Sequence, residues 1–219
     1  LTPLSWSFTT LDTLAPTVGS TTPSANATNV AVGIRIEANF SEAMNGTSIE
    51  NSGSFTLKDG SDNAVSGSVS YDSTNKQARF TPSSSLQEKT TYSVTFTNKI
   101  TDSAGNSLNG TPYSWSFTTQ DNTAPTVSQR NPSINATKVV RNRQISVVFS
   151  EAMKNSTITN STFTLKDANN NAVSGSVSYD ATNKQARFTP SVSLQENTTY
   201  SLTLSSSITD LAGNMLTPL

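Results

Sequence analysis

Leu4-Ser5-Trp6-Ser7-Phe8-Thr9-Thr10 reads as a single β-strand, because Leu4, Trp6 and Phe8 alternate with small polar residues. The same words return as Tyr113-Ser114-Trp115-Ser116-Phe117-Thr118-Thr119. The second copy closes a series of short runs with period two. Ile34, Ile36, Ala38 and Phe40 alternate with polar residues. Phe55 and Leu57 follow, then Val69 and Tyr71, Ala78 and Phe80, and Tyr92, Val94 and Phe96. Turn residues separate the runs, as at Asp59-Gly60, Asp72-Ser73-Thr74-Asn75 and Ala104-Gly105-Asn106. Short alternating strands at this spacing predict an all-β chain folded as antiparallel β-sandwiches, with seven strands, A to G, in each repeat. Pro16 and Pro125 are expected early in strand A, near an edge that tolerates proline. Tyr92 and Tyr200 stand where a tyrosine corner would lie, and an ordinary core tyrosine fits the same place.

The chain is a tandem duplication. Trp6 repeats as Trp115 and Glu42 as Glu151, and after one residue drops out near Gly53, Tyr92 repeats as Tyr200. Between Ala64 and Ser93, 27 of 30 positions match Ala172 to Ser201. The expected organisation is a lone G strand over residues 1–10, a first domain over 11–119, and a second over 120–219 carrying strands A to F. The second copy ends at Leu216-Thr217-Pro218-Leu219, where its own last strand is due. Leu1 to Leu4 spells the same four residues, so overlaying the two ends gives a continuous strand. Such a sequence is read either as one period cut from a longer tandem chain or as a subunit lending its first strand to a neighbour. In the second case Leu4, Trp6 and Phe8 are the strand donor, and Tyr200, Leu202 and Leu204 the acceptor.

Composition removes several function classes. Histidine and cysteine are absent, which leaves no Ser-His-Asp or Cys-His catalytic arrangement, no usual zinc site and no disulfide. Net charge is −1 with no basic run, so no nucleic-acid footprint is visible. No apolar run approaches the roughly 18 residues a membrane-spanning helix needs. Serine and threonine together number 70 of 219 residues, a composition that disfavours long helices. Lys58 and Lys166 fall on the polar side of the alternation, which argues against an intramolecular isopeptide. The polar rows, such as Ser68 and Ser70 or Ser93, Thr95 and Thr97, are solvated faces that would otherwise suit a lateral rod or a surface glycan.

Two sets of side chains are candidate sites. Sandwich connectivity gathers the start of strand A and the B–C, D–E and F–G loops at one pole. Asp12, Glu42, Asp72 and Asp102 lie there in the first repeat, and Asp121, Glu151, Asp180 and Asp210 in the second. Asp12, Glu42 and Asp102, with Asp121, Glu151 and Asp210, are the candidate calcium ligands, since Ca²⁺ takes several carboxylate oxygens. The competing reading is that each aspartate simply caps its own turn. No other cofactor is expected. Asn-x-Ser/Thr sequons stand at Asn26, Asn39, Asn45, Asn109, Asn135, Asn155, Asn160 and Asn197. With 22 Asn and 70 Ser or Thr in 219 residues, chance supplies about 22 × 70/219 ≈ 7, so the number is compositional.

The ordered set Ala15-Pro16-Thr17, Phe40-Ser41-Glu42-Ala43-Met44, Phe80-Thr81-Pro82, Thr91-Tyr92, Ile100-Thr101-Asp102-Ser103-Ala104-Gly105-Asn106 and Trp115-Ser116-Phe117-Thr118-Thr119 resembles the bacterial Ig-like domain. Phe149-Ser150-Glu151-Ala152-Met153 and Ile208-Thr209-Asp210-Leu211-Ala212-Gly213-Asn214 repeat it. The resemblance covers essentially the whole chain. It implies an extracellular or cell-surface array of the kind found in S-layer proteins and adhesins, and it implies no enzymatic activity. The expected function is a structural subunit of a filament or surface layer, joined head to tail to copies of itself. The alternative is an adhesin stalk or carbohydrate-binding spacer of a larger surface protein.

Overall fold

The computed structural model describes residues 3–217. The chain divides into two compact units, Leu1–Asp121 and Asn122–Leu219. In the first unit the order is β1 (Val18–Thr22), β2 (Ala27–Val30), β3 (Ile36–Phe40), α1 (Gly46–Glu50), β4 (Phe55–Lys58), β5 (Gly67–Asp72), β6 (Gln77–Pro82), β7 (Thr91–Phe96) and β8 (Tyr113–Thr119). These form two sheets, β1-β3-β6-β5 and β2-β8-β7-β4. Every pair is antiparallel except β2 with β8, which is parallel.

The period-two residues are the core. Ile36, Ala38, Leu57, Ala78, Val94, Phe96 and Phe117 are essentially inaccessible, and Phe55, Phe80, Tyr92 and Trp115 are buried beside them. Aromatic rings meet across the layers. Phe55 and Phe96 stand edge to face at 4.6 Å, Phe96 and Trp115 at 5.5 Å, and Tyr92 stacks on Phe117 at 5.7 Å. Gly67, at the start of β5, lies under Phe80, where a Cβ would come 2.5 Å from the ring and 2.6 Å from the Thr81 carbonyl. Gly175 sits under Phe188 in the same way.

The repeated words have local physical causes. The Thr17 N–H donates to Ser41 Oγ, and Ser41 N–H donates back to the Thr17 carbonyl, which ties the Ala-Pro-Thr segment to the Ser-Glu-Ala-Met segment. The Met44 N–H donates to Tyr71 Oη at 2.8 Å, and Met153 N–H to Tyr179 Oη at 2.8 Å. Tyr92 and Tyr200 form tyrosine corners: each hydroxyl accepts the main-chain N–H five residues upstream, of Gln87 and Gln195.

Strand A differs from its expectation. It is two strands, because the chain leaves the edge of β3 after Thr22 and passes through buried Pro23 to the other sheet as β2. Among the described residues the first unit therefore has eight strands. Pro16 and Pro125 precede β1 and β9 instead of lying inside strand A. The residue after Pro16 donates its N–H to a serine side chain, so ladder pairing begins only beyond it.

The second unit comprises β9 (Val127–Asn131), β10 (Ile145–Phe149), a 3₁₀ turn (Asn155–Thr157), β11 (Phe163–Asp167), β12 (Gly175–Asp180), β13 (Gln185–Pro190) and β14 (Tyr200–Leu204). One sheet, β12-β13-β10-β9, matches its counterpart strand for strand. The other holds only β11 and β14. Among the described residues no strand follows β14, and residues 136–139, the counterparts of β2, form none.

Residues 3–17 also form no strand, in contrast to the strand expected over 1–10. Leu4, Trp6 and Phe8 are 87%, 80% and 84% exposed. An isolated segment has no ladder to complete its main-chain hydrogen bonds, so alternation alone does not make it a strand. The expected end overlay involves residues 1, 2, 218 and 219, which lie outside the described residues.

Candidate functional site: an open sheet edge and a carboxylate cluster

In the first unit β8 covers β7. The register pairs Tyr92 with Phe117, Val94 with Trp115 and Thr95 with Ser114. Under that cover Tyr92, Val94 and Phe96 are 2%, 0% and 0% exposed. The counterparts Tyr200, Leu202 and Leu204 on β14 are only half-buried. Their neighbours on β11 are unaffected, since Phe163 and Leu165 are as buried as Phe55 and Leu57. The loss of cover is thus confined to the face that β8 occupies in the first unit. Among the described residues β14 pairs only with β11, so its other ladder edge has N–H and C=O groups that would accept a further strand.

β8 is held on its other side as well. Trp115 Nε1 donates to the Pro23 carbonyl at 3.1 Å, and the Asn26 N–H to the Ser116 carbonyl at 2.7 Å. Buried Thr119 ends the strand: its hydroxyl donates to the Gln87 carbonyl at 2.6 Å and accepts the Thr90 N–H at 3.1 Å. Gln120 N–H then donates to the Val30 carbonyl. Sequence reasoning missed this parallel contact with β2. Its trace in the sequence is Asn-Ala-Thr, spelled at both Asn26 and Asn135, where asparagine supports a left-handed turn.

Asp12, Glu42 and Asp102 each place a carboxylate oxygen within 4.8 Å of the others. Asp102 is 1% exposed and already engaged: Oδ1 accepts from Ala104 and Asn106 N–H, and Oδ2 from Asn106 Nδ2. Burial pushes its carboxyl up, but these hydrogen bonds outweigh it and hold the group below the usual carboxylate range. Asp12 Oδ1 accepts the Leu14 N–H, while Glu42 Oε1 is buried with no hydrogen-bond partner. In the second unit Glu151 and Asp210 carry oxygens within 4.8 Å of each other. Asp121 is the last residue of the first unit and pairs with Lys89 at 2.9 Å. Asp72 and Asp180 lie outside these groups and cap their own hairpins through Thr74 and Asn75, and through Thr182 and Asn183.

Seven of the sequon asparagines, at 26, 45, 109, 135, 155, 160 and 197, are exposed. Asn39 is half-buried, and its amide is engaged with Ser20 and Gln77 on the sheet face. Among the described residues no helix is long and apolar enough to cross a membrane.

Comparison with known proteins follows the duplication. The family described as "Bacterial Ig-like domain" matches residues 12–119 and again 121–219. An S-layer protein of Geobacillus stearothermophilus is 32% identical over 154 residues, which is 68% of this chain and 12% of that protein. Among solved structures, a crystal structure of the S-layer protein SbsC aligns with 94% of this chain and 34% of its own, at 14% identity and TM-score 0.38. L,D-transpeptidase 3 from Mycobacterium tuberculosis aligns with 62% of this chain and 47% of its own, at 14% identity and TM-score 0.34. With both repeats matched over nearly the whole chain, this chain belongs to the bacterial Ig-like domain family.

Proposed function

We propose that the chain is a structural module of a bacterial cell-surface protein and that its second unit is completed by residues 4–10 of another copy. The observation that carries this is the contrast between two copies of one strand. β7 is sealed by Trp115 and Phe117, whereas β14 is half-bare and the matching Trp6 and Phe8 stand in solvent. Burying that pair would contribute roughly 3–6 kcal/mol by area, comparable with a small domain's whole margin of stability. The S-layer relative supports the surface setting and, with it, a mechanical role.

The test is electron microscopy and sedimentation of the full chain beside a chain lacking residues 1–10. Concentration-dependent head-to-tail assembly of the first alone supports the reading. Monomers from both at all concentrations would return the chain to a stalk or spacer module.

A cation at Asp12, Glu42 and Asp102 belongs to the same proposal. Two oxygens bound across a Ca²⁺ at about 2.4 Å each lie about 4.8 Å apart, so the cluster has the right span. Glu42 Oε1 supplies a buried oxygen without a protein donor. Bound there, Ca²⁺ would fix Asp12, which follows shortly after the donated strand.

A further inference from the structure

We propose that residues 130–143 of the second unit are a docking site for an anionic polymer, with Lys138 and Arg143 holding one of its phosphate or carboxylate groups at the cavity they line. The proposal is independent of strand donation and holds whether or not a further strand lies beside β14.

The two units are close copies, yet their charges are opposite. Leu1–Asp121 holds six Lys or Arg against ten Asp or Glu, a net of −4, and Asn122–Leu219 holds eight against five, a net of +3. The difference is concentrated in one stretch. No acidic residue stands between Asp121 and Glu151, whereas Arg130, Lys138, Arg141 and Arg143 do. The duplication aligns these four with Thr21, Asn29, Val32 and Ile34, none of them charged. Without them the second unit would hold four cations against five carboxylates, so they alone make it positive. A local excess of one sign concentrates ligands of the other sign around it.

Lys138, Arg141 and Arg143 are exposed. Arg141 is already committed: its Nε donates to the Leu194 carbonyl at 2.6 Å and its Nη1 pairs with Glu196 at 3.1 Å. Arg143 Nη2 donates to Asn131 Oδ1 at 2.7 Å, a neutral partner that fixes the guanidinium without cancelling its charge. Four lysines adopt the left-handed region, Lys76, Lys89, Lys138 and Lys184. Lys76 and Lys184 give their ammonium groups to the Ser41 and Ser150 carbonyls, and Lys89 pairs with Asp121. Lys138, at φ 58, is the one of the four whose ammonium has no partner among the described residues. Its counterpart Asn29, at φ 56, is a residue type that tolerates this conformation better. The lysine therefore serves no contact within the unit, and its cation faces outward. Lys138 and Arg143 line one cavity of ≈ 240 Å³ together with Asn131 and Ser133, and no carboxylate lines it. Lysine brings a point charge and arginine a planar fork, and both suit phosphate or carboxylate oxygens. No missing neighbour is needed to expose this side of the segment: Ser24 and Asn29, the counterparts of Ser133 and Lys138, are exposed in the first unit with β8 in place. Arg130 adjoins Asn131, and Arg141 adjoins the pair in sequence, which suits a chain of repeated anionic groups over a single small ion.

The test is calorimetric titration of the full chain with polyphosphate and, separately, with polygalacturonate, at low and at physiological ionic strength. Binding that weakens as salt rises is the expected result. Binding of polyphosphate alone would identify phosphate as the recognised group, and binding of polygalacturonate alone would identify carboxylate; either supports the site. Lys138→Asn gives this backbone the residue the first unit carries there, so the melting temperature should hold. Binding should weaken by roughly tenfold, as the loss of a charge-assisted hydrogen bond does. Lys166→Gln removes the same charge elsewhere on the second unit, where Lys166 Nζ donates to Asn170 Oδ1, and should leave binding unchanged. Equal weakening by the two variants would reveal diffuse attraction and overturn the site. Binding of neither polymer would overturn the proposal outright. Self-association that Lys138→Asn abolishes, with neither polymer bound, would instead make the acidic first unit of another copy the partner.

Discussion

Trp6→Ala tests the proposed strand donation at an exposed side chain. The side chain is 80% exposed, so the separated chain should melt within about 1 °C of the parent, as surface substitutions generally do. Its counterpart Trp115 shows what it would gain on insertion: 6% exposure, edge-to-face contact with Phe96, and an indole N–H given to the Pro23 carbonyl. Truncating a buried Trp costs about 3–5 kcal/mol, and each 1.4 kcal/mol is tenfold in affinity, so association should weaken by about 150- to 4,000-fold. Leu204 replaces Phe96 in the acceptor, which removes one ring contact and places the effect toward the lower end. Sedimentation velocity over a concentration series measures it directly. Trp115→Ala is the matched control. It should lower the melting temperature of the first unit by roughly 10 °C or more and leave the donor–acceptor joint intact. Equal association of Trp6→Ala and the parent would refute the reasoning, whatever the control did.

Other outcomes follow from individual contacts. Gly67→Ala and Gly175→Ala should each destabilise their unit by about 1–3 kcal/mol, because the new Cβ meets a buried ring and a backbone carbonyl that cannot both yield; thermal unfolding of the separate variants checks this. Asp59, Asp72, Asp167 and Asp180 are held below the usual carboxylate range, first by the side-chain amides of Asn63, Asn75, Asn171 and Asn183, and Asp102 by the hydrogen bonds that outweigh its burial. Depressed folded-state values contribute stability that is full above the unfolded value near 3.8–3.9 and is lost as pH falls through the folded ones. Melting temperature should therefore be flat with respect to these groups from pH 7 to about 5 and fall below about 4; a melting temperature that holds steady to pH 2 would contradict the assignment. Millimolar Ca²⁺ should raise the melting temperature of the first unit, and Glu42→Gln should abolish the rise; an equal rise in the variant would remove Glu42 from the site.

Much of the sandwich is written in period two, because in an antiparallel sandwich one face of every strand must be apolar. Ile36, Ala38, Val94 and Phe96 could be placed from spacing alone, and so could the hairpin at Asp72. Strand A was not legible as two strands. Val18 to Val30 has no sustained alternation, and its break is set by which sheet edge is free on either side of Pro23. Tyr200, Leu202 and Leu204 were legible as the period-two face of β14, but the parallel contact of β2 with β8 was not. That contact joins segments far apart in sequence and uses two left-handed residues, Asn26 and Asn29, neither of which leaves a hydrophobic pattern. The carboxylate group was legible only in part: loops can be assigned to a pole from topology, yet whether Asp72 joins Asp102 or caps its own turn depends on side-chain reach.

Were copies joined as proposed, the half-bare β14 would make their assembly directional. Each copy would carry one plug and one socket, so any assembly, whatever its length, would finish with an empty socket at one extremity and an unused plug at the other. The two extremities would be chemically unlike. A peptide with the sequence of residues 4–10 would cap the socket extremity and the sockets of free copies, and an isolated second unit would cap the plug extremity and the plugs of free copies. Length control would then need no enzyme, only a terminator that supplies one half of the joint and lacks the other.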